Sequence, residues 1–125
     1  MSIGNRPIPP GPRRGEIYKL NFRDIGGNVL SGPHWAVVVQ ANSMARSSTT
    51  LAVPITSNAA SAHLKPEYLV EVSARDTNLS WGGFIHADQV FTFPAIELEE
   101  RTGVLSGRKL EELNLALAFV LELGA

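Results

Sequence analysis

A chain of 125 residues that is 44% hydrophobic is long enough for one domain with a real core and no covalent staples. It has no cysteine, which removes disulfides, thiolate chemistry and cysteine-ligated zinc, and fits a reducing cytosol. The formal charge of −1 argues against a general nucleic-acid coat protein, yet residues 1–50 carry +4, residues 51–93 −2 and residues 94–125 −3. Either the front half attracts a polyanion, or the charges are spread for solubility. No apolar run approaches the ~18 residues of a membrane span, and the start lacks the apolar stretch of a signal peptide. The expectation is a cytoplasmic protein without membrane contact.

Residues 1–12 hold four prolines and two glycines. Proline fixes φ and removes donors, so a flexible arm is expected there, with one folded domain over 13–125. Gly15–Phe22 alternates as a half-buried strand, although the alternation slips by one residue near Lys19. Arg23–Pro33, with three glycines, one Asn and one Pro, is turn chemistry. It makes either a plain hairpin connection or a gate leading into His34. His34–Gln40 and Leu51–Pro54 are apolar runs too short for a stable helix and rich in β-branched residues, hence buried strands. Pro54 cannot donate to a ladder and marks a strand end or an edge, which puts Thr56 and Ser57 on the turn beyond.

Asn58–Pro66 is a small polar loop carrying His63, a solvated side chain by this reading. Glu67–Ser73 is the next strand and Arg75–Leu79 a turn. Ser80–Phe93 alternates from Phe84 as a strand, one face of which presents His86 and Asp88 together. Pro94–Thr102 is an acidic connection with one helical turn at Ile96–Arg101, and Gly103–Leu105 is a short last strand. Ser106 is the expected N-cap of the one long helix, Gly107–Leu123, with Gly124 as its stop. Its Leu110, Leu113, Leu117, Val120 and Leu121 share one face at a 3.6-residue period. Five or six strands and one amphipathic helix define a mainly β (α+β) fold, a small SH3-like antiparallel β-barrel closed by a C-terminal α-helix.

Four motifs, in order, and the closing element after them carry a resemblance. Arg14-Gly-Glu-Ile-Tyr18 resembles the opening strand of the MazF/PemK/Kid family of bacterial toxins. Gly32–Gln40 is similar to that family's Gly-x-Arg-Pro strand, and Val53-Pro54-Ile55-Thr56-Ser57 to its Val-Pro-x-Thr-Ser motif. Asp88-Gln89 with Thr92 resembles its Asp-Gln-x-Arg-Thr strand. Gly103–Leu123 is similar to its Gly-x-Leu-then-helix ending, and the likeness spans residues 13–124. It implies a homodimer of SH3-like barrels that binds single-stranded RNA and a cognate MazE-like antitoxin. It also implies ribosome-independent, metal-independent endoribonuclease activity in which a 2′-OH attacks phosphorus. Two departures stand out. His34 occupies the position of the family's catalytic arginine, with Trp35 in place of its proline. His86 stands where the Kid branch places a second arginine.

Transesterification at an RNA phosphate needs a base for the 2′-OH proton, a donor to the non-bridging oxygens and an acid for the leaving 5′-oxygen. Arginine is a poor base or acid, because its pKa lies above ~12. Histidine titrates near neutrality and serves on either side. The expected catalytic set is therefore His34 and His86 as the acid–base pair, Asp88 orienting His86 or taking the proton itself, and Thr56 with Ser57 on the phosphate. Gln89, Trp35, Arg46 and Arg75 are the candidate substrate contacts, Arg46 and Arg75 for phosphate. Trp35 and Trp81 otherwise read as core or rim residues. His86-x-Asp88 offers two ligands, short of a metal site, so neither metal nor cofactor is expected. A same-fold toxin without ribonuclease activity, either a gyrase poison or a degenerate RNA-binding protein, is the alternative. An SH3-like peptide-binding module is disfavoured by 7% aromatics that do not cluster.

Overall fold

Among the residues that the computed structural model describes (11–57, 66–98 and 100–124), seven strands and two helices follow one another. They are β1 (Glu16–Phe22), β2 (Gly32–Val38), β3 (Thr49–Thr56), β4 (Leu69–Val72), α1 (Ala74–Thr77), β5 (Gly83–His86), β6 (Phe91–Pro94), β7 (Arg101–Val104) and α2 (Gly107–Leu121). All pairings are antiparallel, in the order β4-β5-β3-β2-β1-β7, with β6 added to β3. The result is the expected mainly β half-barrel with a C-terminal helix. Most of the proline-rich arm, and His63 with most of its loop, lie outside the described residues.

The slip in β1 has a physical reason. The sheet buries both faces, so the strand changes cores along its length. Ile17, Val37, Val53, Ile55, Val70 and Ile85 pack on one side with Leu113, Ala116 and Leu117 of α2. Leu20 and Phe22 face the other side, against Ala36, Ala52 and Phe93. Strands buried on both faces read as continuous apolar runs rather than alternating ones, which is how β2 and β3 are written.

Pro54 does not end its strand. It is buried, pairs with Ala36 of β2, and β3 runs on to Thr56. Beyond β2, β3 meets β6 over Thr49–Ala52 and β5 only from Ile55. Pro54 falls in the gap between those partners, where a missing N–H leaves no acceptor stranded. Thr56 is consequently a strand residue, and only Ser57 lies beyond.

Other boundaries also differ from the sequence reading. Ser80–Phe93 is two strands, β5 and β6, separated by a turn that holds Asp88. Arg75 sits in α1, whose Ser73–Asp76 capping box satisfies the first turn. The helical turn expected at Ile96–Arg101 is a 3₁₀ turn at Ala95–Glu97, and Arg101 already starts β7. Ser106 precedes α2, but its hydroxyl does not cap it; it donates to Asp76 Oδ1 at 3.0 Å. The helix stops at Leu121, closed by Glu122 in the left-handed conformation.

Candidate active site

Strand register brings the candidate residues together before any side chain is considered. Leu20 faces His34 across β1–β2, and Trp35 faces Ile55 across β2–β3. His34 therefore lies one rung past that pair, alongside Thr56. Thr56 faces Phe84 across β3–β5, and His86 follows two residues later on the same face. Three adjacent strands thus deliver His34, Thr56 and His86 to one end of one sheet face.

The side chains complete the arrangement. His86 Nε2 and Thr56 Oγ1 are 2.8 Å apart and hydrogen-bonded. His34 Nε2–H donates to the Ser31 carbonyl at 2.9 Å; a carbonyl only accepts, so Nδ1 of that ring is left for other work. The edge of His34 meets Phe22, with ring centroids 5.7 Å apart at 77°. His86 is half-buried, and burial is the main cause that pushes its pKa below the ordinary histidine value. The nearby charge of His34 acts in the same direction, while Asp88 opposes both. The two imidazoles are therefore close enough to sense one another, and His86 stays neutral at neutral pH.

Asp88 is exposed on the turn after β5 rather than on the strand face. It acts on His86 through its charge, and the hydrogen-bond partner of the ring is Thr56. Gln89 is engaged elsewhere: its Oε1 accepts the Leu30 N–H at 2.7 Å and so ties the long β1–β2 loop to the end of β5. Arg46 lies in the β2–β3 loop, at the end of that hairpin away from Trp35 and Ile55. Arg75 is on α1, beyond the end of β4 away from the Leu69–His86 pair. Neither arginine joins His34, Thr56 and His86.

Beside these residues opens a cleft of about 360 Å³. Leu30, Pro33, Trp35, Ile55 and Trp81 form its apolar walls. His34, Thr56 and Ser57 supply its polar edge. The sequence reading had Trp81 as a core or rim residue and gave Leu30, Pro33 and Ile55 no place at the site. A signal for Trp81 was present in the Gly82-Gly83 that follows it. A Cβ on Gly83 would meet Thr56 O at 2.1 Å and the Trp81 ring at 3.0 Å, so only glycine lets β5 and the indole approach β3 this closely. Among the described residues no group of three or more His, Cys, Asp or Glu could hold a metal ion. No helix among them is long and apolar enough to cross a membrane.

A family model described as PemK-like, MazF-like toxin of type II toxin–antitoxin system matches residues 13–121, and the chain belongs to that family. No curated protein matches it in sequence. Among solved structures, it is similar to an endoribonuclease in complex with its cognate antitoxin from a mycobacterial species. That match has 24% identity and a TM-score of 0.73, over 92% of this chain and 99% of that one. MazF from Deinococcus radiodurans matches with 21% identity and a TM-score of 0.74, over 90% and 98% of the two chains. Mycobacterium tuberculosis toxin MazF-mt6 matches with 16% identity and a TM-score of 0.70, over 88% and 99%. These likenesses establish the fold.

Proposed function

We propose that the protein is a toxin endoribonuclease that cuts single-stranded RNA by attack of a 2′-OH on the adjacent phosphorus. The products would be a 2′,3′-cyclic phosphate and a 5′-hydroxyl, formed without a metal ion. The observation that carries this reading is the His86–Thr56 hydrogen bond of 2.8 Å with His34 on the neighbouring strand. Family membership and the endoribonucleases among its structural neighbours support it. In this scheme His86 is the base. Its depressed pKa keeps the ring neutral at neutral pH, and with Nε2–H donating to Thr56 Oγ1 its Nδ1 lone pair takes the 2′-OH proton. His34, anchored by Ser31 O through Nε2, delivers a proton to the leaving 5′-oxygen. Ser57, exposed at the rim, and Thr56 donate to the non-bridging oxygens as charge builds there. Asp88 tempers His86 and faces the solvent side.

The same reading makes the active species a homodimer, held in check by a cognate MazE-like antitoxin. Support for the dimer comes from α2. Leu115 and Phe119, one turn apart on α2, are 72% and 55% exposed and form an apolar strip on the helix that one copy leaves uncovered. The folded unit is taken as residues 13–125, with 1–12 as an arm.

The test is to incubate the protein with single-stranded RNA in EDTA and identify the fragment ends. Cyclic phosphate and 5′-hydroxyl ends are expected. His34→Ala and His86→Ala should each slow cleavage by ~10²–10⁴-fold, as loss of one acid or base does. Full activity in either variant, or strict dependence on an added metal, rejects the scheme.

A further inference from the structure

We propose that the protein carries a second activity: it opens the 2′,3′-cyclic phosphate that its own cut leaves, adding water to give a 3′-phosphomonoester. The inference rests on the ribonuclease reading above and extends it by one step. The observation behind it is how the two rings are held. His86 Nε2 meets Thr56 Oγ1 at 2.8 Å, and His34 Nε2 meets the Ser31 carbonyl at 2.9 Å. Each ring is thus anchored through Nε2 to an oxygen able to accept, and each keeps Nδ1 for gaining or losing a proton. Neither ring has to turn over or break its anchor to exchange roles. A guanidinium in either place could not do this, because it gives up its proton only above pH ~12.

At the end of cleavage, His86 holds the proton taken from the 2′-OH, and His34 has given one to the departing 5′-oxygen. The pair is then in the state that the reverse reaction requires, with water in place of the 5′-alcohol. Departure of the 5′-fragment leaves room for water at His34, which is partly exposed. His34 Nδ1 takes a proton from that water as the water oxygen bonds to phosphorus. The bond from phosphorus to the 2′-oxygen breaks, and His86 Nδ1 returns its proton to that oxygen. One water is consumed, the ribose 2′-OH is restored, and both rings regain their starting states. Opening is the slower step for fragments that leave and rebind. Burial of His86 keeps the proton of the resting pair on His34, whereas opening needs it on His86. Cyclic ends therefore come first and 3′-phosphates later.

The test follows fragment ends over time, with the full chain, single-stranded RNA, EDTA and water enriched in heavy oxygen. Cleavage brings in no oxygen from water, whereas opening places one labelled oxygen in the terminal phosphate, read by mass spectrometry. Cyclic ends that turn into labelled 3′-monophosphates, with no 2′-monophosphates, are expected; hydroxide acting without the protein yields both isomers. His34→Ala and His86→Ala, given fragments already cut by wild-type protein, should open them ~10²–10⁴-fold more slowly. His34→Arg, which keeps a positive charge, should leave cyclic the ends of whatever RNA it cuts. Labelled 3′-monophosphates from that variant at the wild-type rate overturn the exchange of roles.

RNA that is cut but keeps cyclic ends, opening no faster than in buffer, overturns the second activity and leaves the nuclease reading standing. If RNA stays intact, nucleoside 2′,3′-cyclic phosphates are supplied instead. Their opening to 3′-monophosphates alone upholds the hydrolase and removes the cleavage step, and no opening removes both. A mixture of 2′- and 3′-monophosphates overturns the proposal.

Discussion

Residue by residue, the ring of His86 sets the clearest expectation for pH. Its pKa is depressed in the folded protein, so below the ordinary histidine range the unfolded chain binds a proton that the folded chain resists. Stability attached to this ring is present above that range and is lost as pH falls through the depressed value. On acidification from pH 7.5 to 5, wild-type protein should therefore lose more melting temperature than His86→Gln; equal losses would contradict the burial argument. The same depression places the acid limb of the cleavage profile below the ordinary histidine value, readable from initial rates. A second expectation concerns Thr50, whose Oγ1 is buried without a hydrogen-bond partner among the described residues. Thr50→Val keeps the shape and removes the stranded hydroxyl, so urea unfolding should show a gain of about 1 kcal/mol. His86 was singled out in sequence by the alternation that begins at Phe84, and His34 and Thr56 by the resemblance of their motifs; the strand register that brings the three together was not legible, since Pro54 hid the continuation of β3 to Thr56. Nor was the place of Gln89, because the partner it takes, Leu30, lies 59 residues away and no local pattern encodes it. Arg46 and Arg75 show the limit from the other side: a positive charge is visible in sequence, its distance from a site is not.

Elements bring a different kind of dependence, clearest at the junction of α1 and α2. Asp76 accepts from Ser73 N at 2.8 Å, Ser73 Oγ and Ser106 Oγ at 3.0 Å, and lies 3.8 Å from Arg108. Chiefly through the Ser73 backbone hydrogen bond, its carboxyl is held below the usual carboxylate value. The stability it contributes is present above that value and disappears as pH falls through the lowered one. Asp76→Ala should cost about 2–3 kcal/mol in urea unfolding at pH 7, as loss of a cap and of several bonds to a charged group does. The penalty should shrink toward pH 3. A helix start was readable at Ser106 from its residue type, but its hydroxyl turns to Asp76, a choice made by packing of two helices. Gly83 is the companion case on the sheet. Gly83→Ala should separate β5 from β3, reducing cleavage through the Thr56–His86 bond as well as lowering the melting temperature. Normal activity in that variant would mean the close approach has no bearing on the site. Pro54 misled the sequence reading for a related reason, since a strand with three neighbours can host a proline only at the seam between two of them.

For the whole molecule, the order of elements was enough to read a small half-barrel with a closing helix, because strand runs and one long amphipathic helix admit few packings. The two cores on opposite faces of the sheet were not legible, since a doubly buried strand loses the alternation that would announce it. Association belongs at this scale. The proposed homodimer should shift toward monomer in sedimentation measurements when Leu115→Glu is combined with Phe119→Glu, and an unchanged dimer would place the interface elsewhere. Charge belongs here too: with Arg14 already engaged by Val39 O and Asn114 Oδ1, the proposed RNA binding would rest on the remaining exposed cations and should fall steeply with added salt.

The rung that unites β2, β3 and β5 carries one more consequence, for biosynthesis. Residues 34, 56 and 86 meet only after the last of these strands has been made and zipped against the others. Until that moment a growing chain does not present the three side chains together, and α2, made after all three strands, packs on the opposite face of the sheet. For the ribonuclease proposed here, the order of synthesis would leave an interval in which the chain exists before it can cut.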